Sequence, residues 1–319
     1  MHKKLLLLFA VLLALSVPSV VHGQESAEPL AAPIKYDVGI QLENIGTINR
    51  QSGSYDLIFW VTIKSDDVDF TKNPPPEQFD FTNGYVDEIT GISIEPHFYK
   101  FKVRGVFYNA IDFRNYPFES IDLAIHMEPY YPNTDDKLVF TINEAYSGIG
   151  DSETISVPGW DLGEPSFVAE SEKYPWGSFT NFEAHYPVGT SVFSAFMKKL
   201  FPIMVLMGFS FASFALSPKN LAERLGMISA ALLSAVFFHT GFLLSELPPL
   251  GYMTLADKIM VAAYGLFIVC LSPILMNKYY SEIKKQEFTL AQQLALDKKT
   301  EIAAPIIVSA LFVLAYFVL

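Results

Sequence analysis

The chain has 319 residues, 51% of them hydrophobic and 18% charged, with a formal net charge of −12. That is too apolar for an ordinary soluble domain, and the acidity argues against nucleic acid as a partner and for attraction of cations. A single cysteine, Cys270, excludes an internal disulfide framework and a cysteine metal site.

The opening "MHKKLLLLFAVLLALSVPSVVHG" places two lysines before an eleven-residue apolar core, Leu5 to Leu15, and reads as a secretory signal peptide over residues 1–23. The mature chain is then expected to begin near Gln24 in an exported space. Residues 34–190 read as β structure. "YDLIFWVTI", "FYKFKVRGVFY", "SIDLAIHM" and "LVFTI" are rich in aromatic and β-branched residues, with period two in places. Turn clusters such as "SDDVDFTKNPPPE", "FRNYPFES", "EPYYPNTDD" and "SVPGWDLGEP" separate them. Short strands at this spacing predict one β-sandwich domain, 24–196, large enough to bury a core without disulfides.

The pattern changes after Lys198-Lys199. Four blocks without a full charge follow, Leu200–Leu216, Leu225–Ser245, Ile259–Asn277 and Ile302–Leu319. Each is close to the length that spans ~30 Å of hydrocarbon as a helix. They predict a transmembrane domain, 197–319, with helices at about 198–217, 222–246, 254–278 and 300–319. Between Gln24 and Met197 there are 10 basic and 27 acidic residues, a net charge of −17, whereas the chain from Lys198 onward carries +3. Export of the β-domain makes the first helix run inward. The two inner loops then hold Lys219, Arg224, Lys278, Lys284, Lys285, Lys298 and Lys299, against Lys198, Lys199 and Lys258 outside. This satisfies the positive-inside rule. The expected location is the inner (plasma) membrane, multi-pass, with the β-domain in the periplasm or outside the cell.

The second block, "ERLGMISAALLSAVFFHTGFLLSELP", is semi-polar, with Gly226, Ser229, Ser234, His239, Thr240 and Gly241. Such residues in a bilayer face a bundle interior or water, or else allow close helix packing.

In order along the chain, "DFRNYPFES", a membrane-entry proline at Pro202, "ERLGMISAALL" and "LPPLGYMTLADK" resemble the pentameric ligand-gated ion channels, the Cys-loop receptor superfamily, in its bacterial branch. Leu123 and Asn109 stand near the positions of the bridged cysteines of animal members. The resemblance implies an immunoglobulin-like, ligand-binding β-sandwich above a four-helix membrane domain, assembled as a homopentamer. It also implies coupling through the stiff Tyr116-Pro117 turn, with Phe118, Glu119 and, across the junction, Pro248. Three positions depart from the family. Glu119 replaces an aspartate, Thr190 stands where an arginine is usual, and Lys64 replaces a tryptophan. The family's central ion pair is thereby altered.

Counting from Glu223-Arg224, one helical face reads Gly226, Ala230, Leu233, Phe237, Thr240 and Leu244. Five copies would form a narrow lumen with a hydrophobic constriction, and Glu223 would form a carboxylate ring at the inner mouth that selects cations. Arg224 is expected to point away from the lumen. A register one residue later, Met227, Ala231, Ser234, Phe238 and Gly241, fits the same interval; the first is preferred.

By the same resemblance the ligand lies between neighbouring β-domains, with Tyr130, Tyr131, Tyr174 and Trp176 as candidates. Aromatic side chains on loops suit a small cationic amine. Protons acting on His97, His126 or His185 and a divalent cation on Asp66, Asp67 and Asp69 are the other candidate stimuli. No enzyme motif and no cofactor signature is found, so the chain is not expected to be an enzyme. The functional expectation is a homopentameric ligand-gated cation channel in a lipid bilayer; the alternative is a non-conducting receptor or adhesion scaffold.

Overall fold

The computed structural model describes residues 32–75, 79–150, 155 and 157–318; the expected signal peptide lies outside them. Strict alternation of inward apolar and outward polar residues builds the β-domain. In β1 (Ile34–Asn49) Tyr36, Val38, Ile40 and Leu42 point inward. In β2 (Ser54–Lys64) Tyr55, Leu57, Phe59, Val61 and Ile63 are each 1% exposed or less. β3 (Asp80–Phe81), β4 (Gly84–Glu95) and β5 (Phe98–Tyr108) follow, then β6 (Ser120–Glu128), β7 (Leu138–Ile142), β8 (Gly148–Ile149) and β9 (Asp161–Leu162). β10 (Ser166–Tyr174) and β11 (Gly177–Gly189) complete the set.

One sheet has the order β4-β5-β2-β1-β7, with β8 also on β1; the other runs β10-β11-β6-β3, with β9 on β11. Among the described residues, only the β1 pairings with β7 and β8 are parallel. The two sheets share one aromatic-rich core. Two tyrosines cross it in opposite senses. Tyr55 of β2 donates to the Ala124 carbonyl at 2.7 Å, and Tyr186 of β11 donates to the Ile40 carbonyl at 3.0 Å. Both hydroxyls are buried, so each needs that partner. The β1–β2 turn depends on Gly53: its φ is +69°, and an added Cβ would lie 2.8 Å from the Asn109 carbonyl oxygen, so a side chain there is strained and crowded.

Four helices long and apolar enough to cross a membrane follow: α1 (Val192–Ala215), α2 (Leu221–Glu246), α3 (Leu255–Glu282) and α4 (Leu290–Phe317). Two begin earlier than the sequence reading has them. α1 starts directly after β11, so Lys198 and Lys199 lie in its second turn. α4 starts near 290 rather than 300 because Thr289 and Gln292 cap it reciprocally: Thr289 N–H donates to Gln292 Oε1 at 2.9 Å and Gln292 N–H to Thr289 Oγ1 at 3.3 Å. The polar connector is thereby drawn into the helix. α3 is the most enclosed of the four, and α1 and α4 expose most of their apolar surface, as helices facing lipid do.

Candidate functional site

The loop between β5 and β6 sits where the two domains meet. Its neck is closed without a disulfide: Asn109 Nδ2 donates to the Asp122 carbonyl at 3.0 Å, and Asn109 N–H to the Gly53 carbonyl at 3.1 Å. Asp112 accepts the Arg114 N–H at 2.9 Å and the guanidinium at 2.8 Å. These bonds hold its carboxyl below the usual carboxylate range, the backbone bond first. Arg114 in turn covers the Tyr252 ring at 4.9 Å, and Tyr252 accepts the Phe113 N–H at 3.0 Å.

The turn completes the start of α3. A helix leaves its first amide groups unpaired; here Leu255 N–H donates to the Arg114 carbonyl at 2.9 Å and Ala256 N–H to the Tyr116 carbonyl at 3.0 Å. Thr254 and Asp257 add a capping box. Phe113 and Tyr116 are buried in the same apolar cluster as Leu200, Ala235, Leu243 and Met260, with Phe118 packed against it. Pro117 accepts from Thr190 Oγ1 at 3.0 Å. Pro248 takes part in none of these contacts; Leu247, beside it, joins the cluster instead.

Charge is concentrated around this turn. Glu119 is 2% exposed, with Arg50 Nη2 2.7 Å from its Oε1, yet neither carboxylate oxygen has an aligned hydrogen-bond donor among the described residues. Arg50 Nη1 also lies 3.6 Å from Glu246 Oε2, and Lys199 pairs with the other oxygen of Glu246. The Tyr116 hydroxyl donates to Glu246 at 3.3 Å, and Gln51 Nε2 to the Ser245 carbonyl at 3.0 Å. A 250 Å³ cavity opens beside this network, lined by Arg50, Thr190, Ser194, Lys199, Phe242 and Glu246. The cations of this network come from the β1–β2 turn, as Arg50, and from α1, as Lys199. No sequence signal pointed to Arg50.

α2 has two unlike faces. Arg224, Ile228, Ala231 and Ala235 are buried against the other helices. On the opposite side Leu233 is 58% exposed and Phe237 67%, in line with exposed Glu223, Gly226, Ala230 and Thr240. Of the later register, Ala231 is buried and Met227 and Phe238 are half-buried within the subunit, whereas Ser234 and Gly241 are exposed. His239 faces α3, with Nε2 2.9 Å from Asp257 and Nδ1 3.1 Å from the Tyr264 hydroxyl. The Thr240 hydroxyl donates back to the Val236 carbonyl at 2.9 Å. Arg224 turns inward and pairs with Asp297 of α4 through Nη1–Oδ2 at 2.9 Å and Nη2–Oδ1 at 3.0 Å.

At the far end of the β-domain, Tyr130, Tyr174 and Trp176 converge on a 470 Å³ cavity with Asp80, Glu128 and Phe179. The Tyr174 and Trp176 rings stack at 5.2 Å, and the Tyr174 hydroxyl donates to Glu128 Oε1 at 3.0 Å. Burial pushes the Glu128 carboxyl up to about 7. Tyr131, 73% exposed, does not line the cavity. Glu128 and Asp80 went unnoticed in the sequence because nothing there separates them from surface carboxylates.

Of the histidines, His97 sits with Nδ1 between the Ser65 and Val68 carbonyls, at 2.8 and 3.0 Å, a structural arrangement. His185 lies between Asp122 (2.7 Å) and Glu183 (3.2 Å), with His126 3.8 Å from Glu183. Asp66, Asp67 and Asp69 form no shared site. Asp67 accepts the Lys35 N–H at 3.1 Å, and Asp69 pairs with Lys72 at 2.8 Å, which lowers its carboxyl to about 2. Among the described residues no group of three or more His, Cys, Asp or Glu side chains is placed to hold a metal ion. Lys64 lies over the Tyr146 ring at 4.5 Å. Comparison with protein-family models and with curated proteins gives no match to this chain.

Proposed function

We propose that the chain is one subunit of a homopentameric, ligand-gated, cation-selective channel. Its β-domain, read as an immunoglobulin-like sandwich, faces the periplasm or the cell exterior from the inner (plasma) membrane. The observation that carries this reading is α2. A helix of membrane-spanning length presents one face to its own subunit. It leaves the opposite face of Glu223, Gly226, Ala230, Leu233, Phe237 and Thr240 uncovered. Five such faces enclose a lumen that is narrow and light at the inner end, apolar at Leu233 and Phe237, and ringed by Glu223 carboxylates. A helix of a mere anchor has no need of that division.

Ligand and gate lie at opposite ends of the β-domain and α2. A small cationic amine fits the cavity of Tyr130, Tyr174 and Trp176, where aromatic faces and the Glu128 carboxylate favour positive charge. Movement of the β-domain reaches α2 through Arg50, Tyr116 and Glu246, and α3 through the Arg114 and Tyr116 carbonyls. Both contacts bias a two-state pore.

Mass measurement on the detergent-solubilised protein should give five subunits. Purified protein in planar bilayers should give discrete currents, raised by an amine such as propylamine. Reversal potentials in asymmetric salt should show cation preference, reduced in Glu223→Gln. A monomer or dimer as the sole species, or the absence of currents across a panel of amines, pH values and divalent ions, would sink the channel reading in favour of a non-conducting receptor.

A further inference from the structure

Arg224 raises a problem for any inner mouth built on Glu223. The two are adjacent in sequence, and a guanidinium free to swing would neutralise the carboxylate beside it in every subunit. The structure removes that charge. Arg224 is 2% exposed and Asp297 6%, and both oxygens of Asp297 engage the two terminal nitrogens of Arg224 in a planar, bidentate fork. The Phe214 ring of α1 closes the pair from another side, with its centre 5.3 Å from the guanidinium carbon. Glu223 has no ion-pair partner among the described residues and stays exposed.

We propose that Asp297, on α4, is a positioning residue for ion selectivity: by holding Arg224 inside the subunit it leaves Glu223 as the unopposed charge at the inner mouth. The inference rests on the channel reading above. A buried arginine with no counter-ion is costly. In the absence of Asp297's charge the long, flexible side chain is driven toward water. The nearest aqueous surface on its own helix lies beside Glu223. Five arginines then oppose five carboxylates, and the mouth loses its preference for cations. Asp297 touches no permeating ion; it acts only through Arg224.

The test is a set of reversal potentials in asymmetric potassium chloride, measured on full-length channels in bilayers. Wild type must prefer cations; if it conducts without preference, or not at all, the channel reading fails and not this inference. Given a cation-selective wild type, Asp297→Asn should lower the cation-to-anion permeability ratio by about threefold or more. Arg224→Gln combined with Asp297→Asn should restore it, because no cation is left to release. Loss of folding alone cannot produce that rescue. The exchange Arg224→Asp with Asp297→Arg keeps a buried pair of reversed sense and should keep wild-type selectivity; it carries the test if Asp297→Asn does not assemble. Wild-type selectivity in assembled Asp297→Asn would overturn the proposal. So would a loss that Arg224→Gln does not rescue, or altered selectivity in the exchanged pair.

Discussion

Two of the places where the described residues bury charge do so differently. At the inner end of the helices one arginine meets one carboxylate in a closed bidentate fork. At the junction of the domains, Arg50 is divided between Glu119 and Glu246, and Glu246 between Arg50, Lys199 and Tyr116. Glu119 is almost inaccessible yet has no aligned donor. A fork that engages both terminal nitrogens and leaves only Nε without a partner has one low-energy arrangement. A shared, under-satisfied network beside a 250 Å³ cavity has several of similar energy. The inner pair is a closed, fixed point, whereas the outer network is shared among several groups and open to the cavity.

The largest expected effect comes from breaking the fixed point. Asp297→Ala should cost up to about 3–5 kcal/mol of subunit stability, the full cost of a buried guanidinium left unpaired, and less to the extent that Arg224 escapes to water. Replacing both partners, Arg224→Met with Asp297→Leu, should recover most of it. Thermal unfolding in detergent reads both; equal losses in the single and double variants would show that the pair is no anchor.

Between the two ends lies the apolar stretch of α2. Removing water from an apolar ring costs little, so in the proposed pentamer Leu233 and Phe237 would favour a dry, closed lumen. Leu233→Ser should wet it. A shift of ~0.5 kcal/mol per subunit sums over five to a few kcal/mol, comparable with two-state gaps, so the variant should open without ligand. If Leu233→Ser leaves gating unchanged while Ser234→Leu blocks current, the lumen follows Met227, Ala231, Ser234, Phe238 and Gly241 instead.

At the outer network, Arg50→Gln removes the cation nearest Glu119 and should destabilise the protein by about 1–3 kcal/mol, the cost of a buried group left unsatisfied. It should also raise the half-activating ligand concentration by about tenfold, since the β-domain loses its charged hold on α2. Glu246→Gln should do the same, and the double variant less than the sum. Additive effects would mean that Arg50 and Glu246 act independently.

The same contrast explains what could be read in advance. The strands declared themselves through period two, the helices through length, and the Tyr116-Pro117 turn through its rigid dipeptide and its place before the membrane domain. The ion pairs did not. Arg224 and Asp297 are 73 residues apart, and "LDKKTE" has the composition of a solvated connector. Arg50 sits in a polar turn that any hairpin could carry. That Tyr130 lines the cavity and Tyr131 does not is decided by loop geometry, to which adjacent identical residues give no clue.

The smallest effect concerns a third buried charge, Glu128. Its carboxyl is raised to about 7, first by burial. The unfolded chain deprotonates near the ordinary carboxylate value, so folded stability from this group is full below that value. It is lost as pH rises toward 7, and constant above. Ligand binding has the opposite sign. An amine in the cavity of Tyr130, Tyr174 and Trp176 gains from the ionised carboxylate, so affinity should be full at pH 8. It should fall by about tenfold at pH 6, where Glu128 is mostly protonated, and binding at pH 7 should release protons. Glu128→Gln should bind amines weakly at every pH and abolish the release. Titration calorimetry in two buffers of different ionisation enthalpy measures both quantities. An unchanged pH profile in Glu128→Gln would move the titrating group elsewhere.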